Sequence, residues 1–165
     1  MAVTKTLFNN QLYVFDMSSL KELHDRYPKS LFPSIWQKVE TLIQTKQLYS
    51  HIEVLREIKQ TIYPTDKLLT WSNKNKKLFL GIDTCQGKEL NNVKLKYNLQ
   101  YWNNEINRPG PWADPYLIAT AICEGATIIT QENKTKANRI PPIAFQFKIE
   151  SLNLLEFFQK LKIKL

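Results

Sequence analysis

Residues 114–130 read Asp114-Pro-Tyr-Leu-Ile-Ala-Thr-Ala-Ile-Cys-Glu-Gly125-Ala-Thr-Ile-Ile-Thr130. An Asp directly before a proline suits a helix start, because Pro supplies a helical φ and its missing N–H is not needed in the first turn. Leu117, Ile118, Ala121 and Ile122 then recur at helical spacing, Gly125 is a stop signal, and Thr127 to Thr130 is a short β-favouring run. A helix that passes into a strand with almost no slack is half of an α/β unit. The chain's beginning supplies a second half, since Leu12-Tyr-Val-Phe-Asp16 reads as a buried strand and Ser18 and Ser19 after it mark a helix start.

Working outward, the pattern predicts a helix from about Ser19 to before Pro28 and a second opened by Pro33, with Ile35, Trp36, Val39, Leu42 and Ile43 on one face. Gln47 to Ser50 is a weak strand. Ile52, Leu55 and Ile58 trace a stripe on a helix over 52–60, Pro64 breaks the pattern, and Asp66 is placed to cap another helix. Leu78 to Ile82 is a third strand, and a longer helix is expected from Lys88 to Trp102. The Asn, Pro and Gly residues of 103–111 form a loop. After residue 130 the pattern predicts a basic loop over Asn133 to Pro142, a last strand at Phe145 to Ile149 and a terminal helix from Leu152 to Leu161. Short strands alternating with helices argue for an α/β fold with a mainly parallel sheet, because parallel neighbours need crossovers of this length.

One domain is expected over residues 1–165, with 1–11 as a flexible N-terminal segment, since 165 residues suffice for one core and are too few for two comfortable ones. A composition 43% hydrophobic is that of a folded protein, yet no apolar run reaches the roughly 18 residues of a membrane span. The polar start does not read as a signal peptide, which points to the cytoplasm and away from the membrane. Cys85 and Cys123 form no CxxC or Cys/His cluster, so they read as free buried thiols, with neither zinc nor a disulfide. A net charge of +8 favours polyanions such as nucleic acid, and much of it lies in Lys74/Lys76/Lys77, Lys134/Lys136/Arg139 and Lys160/Lys162/Lys164. Each run taken alone also suits a solvated face.

Acids stand at structural junctions: Asp16, Glu57 with Glu53 one turn before it, Asp114 and Glu132. Metal-ion hydrolysis of a phosphodiester needs hard oxygen ligands, and carboxylates gathered from distant parts of a chain supply them. Each acid also has a plainer use. Asp114 reads as a helix N-cap, Asp16 as a turn or cap residue, Glu53 and Glu57 as solvated helix charges and Glu132 as a loop acid.

The runs Tyr13-Val-Phe-Asp-Met-Ser-Ser-Leu20, Glu53-Val-Leu-Arg-Glu-Ile58, Ala113-Asp-Pro-Tyr-Leu-Ile-Ala119 and Gly125-Ala-Thr-Ile-Ile-Thr130 resemble the successive acidic motifs of PIN domains. Tyr27-Pro28, Phe32-Pro33 with Trp36, and Leu154-Leu-Glu-Phe-Phe158 further resemble an uncharacterised PIN-like branch, a domain of unknown function. The resemblance implies a three-layer α/β/α sandwich around a mainly parallel sheet and a Mg2+ or Mn2+ dependent endoribonuclease, often the toxin of a type II toxin–antitoxin pair. It implies Asp16, Glu57 and Asp114 as metal ligands, with Glu53 competing with Glu57, and Ser18 as a hydroxyl beside them. Glu132, in Gln131-Glu132-Asn133, stands where many PIN domains carry an Asp or Asn and is the candidate fourth acid. RNA is the implied substrate; an antitoxin protein and a second copy of the chain are the implied protein partners. Two other readings compete: a PIN-like module that binds RNA or protein without cutting, and a doubly wound phosphotransfer or hydrolase domain using Asp16, for which the sequence has no phosphate-cradling glycine loop.

Overall fold

The computed structural model describes residues 10–61, 63 and 66–165. Three wholly buried residues form β1 (Tyr13–Phe15), and the chain turns at Asp16 into α1 (Met17–Arg26). Its α2 (Pro33–Gln44) opens on the proline, buries Ile35, Trp36, Val39 and Leu42 at helical spacing, and precedes β2 (Leu48–His51). There follow α3 (Ile52–Thr61) and α4 (Lys67–Lys74), the latter capped by Asp66, which accepts the Leu68 N–H at 2.7 Å. A 3-10 turn at Lys76–Leu78 leads into β3 (Phe79–Leu80), and the chain continues through α5 (Thr84–Lys94), α6 (Leu99–Ile106) and α7 (Asp114–Glu124). It ends with β4 (Thr127–Ile129), α8 (Ile140–Phe145), β5 (Ser151–Leu152) and α9 (Leu154–Lys160).

The strands form one sheet in the order β3-β2-β1-β4-β5, and every pairing is parallel. The expected three-layer α/β/α sandwich is the architecture adopted. Helix α7 lies against β1, β2 and β4, with α5 and α8 beside it, while α1, α3 and α4 pack on one another. Helical cover explains why Val14, Phe15, Ile128 and Ile129 are all fully buried rather than alternating inside and out. From the central β1 the chain winds outward to β2 and β3, then crosses to β4 and β5. The switch point therefore lies between β1 and β4, and the crevice beyond the carboxyl ends of those strands is where such sheets bind ligands. No helix among the described residues is long and apolar enough to cross a membrane.

Several local expectations need correction. The single helix over Lys88 to Trp102 is two, because Asn98 leaves α5 behind and caps α6 by accepting the Tyr101 N–H at 3.0 Å. The stretch Phe145 to Ile149 is not a strand. Pro141 and Pro142 start a helix that ends at Phe145, Lys148 then takes a left-handed φ of 58°, and the strand comes only at Ser151. The basic loop correspondingly ends at Arg139, and the terminal helix begins at Leu154, where Asn153 and Glu156 form a capping box. Pro64 and most of the expected flexible segment 1–11 lie outside the described residues; within that segment Gln11 is tied down, donating to Thr127 Oγ1 at 3.0 Å.

Cys85 and Cys123 are not free thiols but a disulfide. Helices α5 and α7 pack against each other so that the two Cα atoms stand 6.1 Å apart, within bridging reach, and Cys85 is exposed rather than buried.

Candidate active site

Asp16 occupies the carboxyl end of β1, where its N–H bonds the Ile129 carbonyl across the switch point at 3.1 Å. Its carboxylate does two jobs in the same place. Oδ1 accepts the Ser19 N–H at 2.8 Å and so caps α1, as the cap reading expects. The side chain is only 5% exposed, and hydroxyls surround it: Ser18 Oγ lies 2.8 and 2.7 Å from the two oxygens, and Thr130 Oγ1 donates to Oδ2. Ser18 also accepts the Gln131 N–H at 2.9 Å, which latches the start of α1 to the end of β4. Burial raises the Asp16 pKa, against the pull of the Thr130, Ser19 and Ser18 hydrogen bonds.

Glu57 reaches the same crevice from α3, and its Oε1 accepts the Ala113 N–H at 2.8 Å, fixing the entry to α7. Burial, opposed by that bond and reinforced by the charges of Asp16, Glu53 and Glu132, pushes its pKa up to about 7. Glu53, one turn earlier, faces elsewhere: it is 8% exposed, its carboxylate pairs with Arg56, and it lines a separate cavity with Trp102 and Tyr116. Of the two helix-borne acids only Glu57 borders the crevice.

Asp114 is the first residue inside α7 and not its cap. Ala113 holds the cap position and makes no side-chain cap bond, so the carboxylate is free of the role that the Asp-Pro pair suggests. Burial raises its pKa well above the ordinary range, followed by the charges of Glu132, Glu57 and Asp16; a hydrogen bond from the Trp112 side chain opposes them. Glu132 lies just past β4. Its Oε2 accepts the Ile140 N–H at 2.7 Å, Arg139 Nη1 stands 3.6 Å from Oε1, and burial again raises the pKa.

Asp16, Glu57, Asp114 and Glu132 together line one cleft of about 570 Å3, with Lys21, Arg108 and Arg139 also at its walls. The donor chemistry fits a hard divalent cation, since every candidate ligand is a carboxylate and their charges hold one another's pKa values up. Among the described residues, however, no three acidic, His or Cys side chains are placed as a ready metal-holding group. The acids share a cleft and a field: both Asp16 oxygens, and one each of Glu57 and Glu132, accept backbone or hydroxyl donors.

Sequence reasoning missed Thr130, whose hydroxyl holds Asp16 from the neighbouring strand. A hydroxyl at the carboxyl end of a strand adjoining an acid-ended strand is the signal that could have found it. Tyr97, 6% exposed, lies close enough to the site for the charges of Asp114 and Glu132, after burial, to push its pKa up, and its hydroxyl has no partner among the described residues.

The family model described as a domain of unknown function (DUF4411) matches residues 13–165, from the first residue of β1 to the last residue of the chain. A search of curated proteins found no match.

Proposed function

The chain belongs to the DUF4411 family, a domain of unknown function, and we propose that this member is a Mg2+ or Mn2+ dependent endoribonuclease that hydrolyses RNA phosphodiester bonds. The observation that carries the reading is the convergence of Asp16, Glu57, Asp114 and Glu132, from four separate segments, on one cleft at the switch point of a parallel sheet. Asp16, Glu57 and Asp114 would hold the ion, with Glu132 as the fourth acid. When bound, it supplies a hard Lewis acid that draws charge from phosphate oxygens and makes water a better nucleophile at neutral pH.

The chain's own groups account for the rest. Ser18, Ser19 and Thr130 fix the Asp16 carboxylate in one orientation, so no side-chain freedom is lost when it is used. The Ala113 N–H does the same for Glu57. The cleft's carboxylates would repel a phosphate; Arg139, together with Lys21 and Arg108, which also pair with Asp25 and Glu105, partly offsets that repulsion. Arg139 is already turned towards Glu132 and is the cation nearest the acids by an observed contact.

The toxin role and the antitoxin partner rest on the resemblance to PIN domains, and the cytoplasmic setting on the polar start that does not read as a signal peptide. The Cys85–Cys123 bridge weighs against a reducing compartment, where two such cysteines would be thiols. A second reading, a module that binds RNA without cutting it, is favoured by the spread of the acids and by the hydrogen bonds that already occupy Asp16. Incubating purified protein with single-stranded RNA, with and without Mn2+, separates the two: metal-dependent cuts support the nuclease, and retention without cutting supports the binding module.

A further inference from the structure

A second concavity, of about 1000 Å3, lies at the opposite end of the sheet from the acids. It is built where the chain enters β2 and β3 and where α7 ends: Leu48 opens β2, the 3-10 turn precedes β3, and Glu124 closes α7. Lys46, Lys74, Lys76 and Lys77 line it, contributed by the turn after α2, the end of α4 and the 3-10 turn. Lys21, Lys29, Lys134 and Lys160 are held in ion pairs with Asp25, Glu40, Glu156 and Glu150, while other lysines are scattered singly over the surface; what sets this hollow apart is that it gathers four. Among the described residues none of the four lysines of the concavity takes part in an ion pair.

A second feature of the same hollow is independent of charge. Tyr49, 8% exposed and among its lining residues, buries a hydroxyl that has no hydrogen-bond partner among the described residues. A buried polar atom without a partner is uncommon and calls for a ligand or water. Burial, with the charge of Glu124, holds the phenol at about 12, so it remains a donor at any physiological pH.

From the four lysines gathered in one concavity, with the buried, unpartnered Tyr49 hydroxyl in its wall, we propose that this hollow is a phosphate-backbone exosite that grips single-stranded RNA away from the acidic cleft. Lysines reach phosphates as point charges and carry no base specificity, so the exosite would add affinity and processive hold without choosing the cut. The choice of RNA as the polyanion rests on the nuclease reading, whereas the phosphate-binding chemistry does not.

The test uses the full chain, a 5′-labelled 20-nucleotide single-stranded RNA and EDTA to prevent cutting, with binding followed by fluorescence anisotropy across a salt series. The exposed lysines are changed together, Lys46→Gln, Lys74→Gln, Lys76→Gln and Lys77→Gln; a control changes Lys38, Lys59, Lys88 and Lys96 to Gln. Each phosphate neutralised contributes about 0.7 to the slope of log K against log salt for single strands, so the first variant should lose about 3 and the control close to none. A trinucleotide too short to span from cleft to hollow should be cut at the wild-type rate by both variants. Equal slopes in wild type and first variant, an equal loss in the control, or no RNA binding by the wild type would overturn the exosite. Absence of metal-dependent cutting by the wild type, with the slope loss intact, would remove the nuclease reading and leave the exosite standing.

Discussion

Burial, together with the charges of Asp16, Glu53 and Glu132, lifts Glu57 to about 7, against the opposing bond from Ala113. Its protonated form therefore folds better than its ionised form. The contribution is fully present below the unfolded value of about 4.5 and is lost as pH rises through about 7, which amounts to about 3 kcal/mol for this one carboxyl. Thermal unfolding in EDTA should show the wild type weakening across that window and Glu57→Gln weakening much less; identical pH profiles would contradict the shift. Asp114 gives a sharper contrast because it makes no cap bond. Both Asp114→Asn and Asp114→Ala should leave metal-free stability unchanged or raised, whereas a cap would make Ala worse by about 1 kcal/mol. For Thr130, the nearly isosteric Thr130→Val removes a hydroxyl donor from buried Asp16, and urea unfolding should register a loss of about 1–3 kcal/mol. The four acids of the cleft were legible as residues at junctions. Thr130 was not, because a hydroxyl acquires its role only from the strand that packing sets beside it.

Elements were legible where period and punctuation agreed, and failed where they conflicted. Pro33 with its 3.6-residue stripe became α2, and Gly125 at a left-handed φ of 64° ends α7 as its type suggests. Phe145, Phe147 and Ile149 alternate like a strand, but Phe145 is 79% exposed and belongs to the end of α8. There the two prolines, which suit a first helical turn, carried more information than the alternation. The bridge between α5 and α7 had no sequence signature at all, since a separation of 38 residues says nothing about which helices pack together. Closing a loop of that length should stabilise the chain by about 4 kcal/mol on the chain-entropy estimate. Dithiothreitol, or Cys85→Ser with Cys123→Ser, should lower the unfolding midpoint accordingly; an unchanged midpoint would mean that the bridge contributes nothing.

For the molecule as a whole, the parallel order β3-β2-β1-β4-β5 places the acid-bearing ends of β1 and β4 side by side and leaves Lys46, Lys74, Lys76 and Lys77 at the other end of the sheet. The fold class was readable from alternating short strands and helices, because crossover length and chain direction restrict the topologies. The strand order was not, and it decides which acids meet. A net charge of +8 with four junction acids gathered in one cleft is compatible with the proposed polyanionic substrate. The most direct measurement is cleavage of a labelled single-stranded RNA by purified wild type, Asp16→Asn and Asp114→Asn, in EDTA and across a Mn2+ titration. Metal-dependent cutting by the wild type, abolished in both variants while they still bind the RNA, is the predicted result. Cutting that persists in EDTA or in both variants, or none by the wild type at millimolar Mn2+, would contradict a metal-dependent nuclease built on these acids.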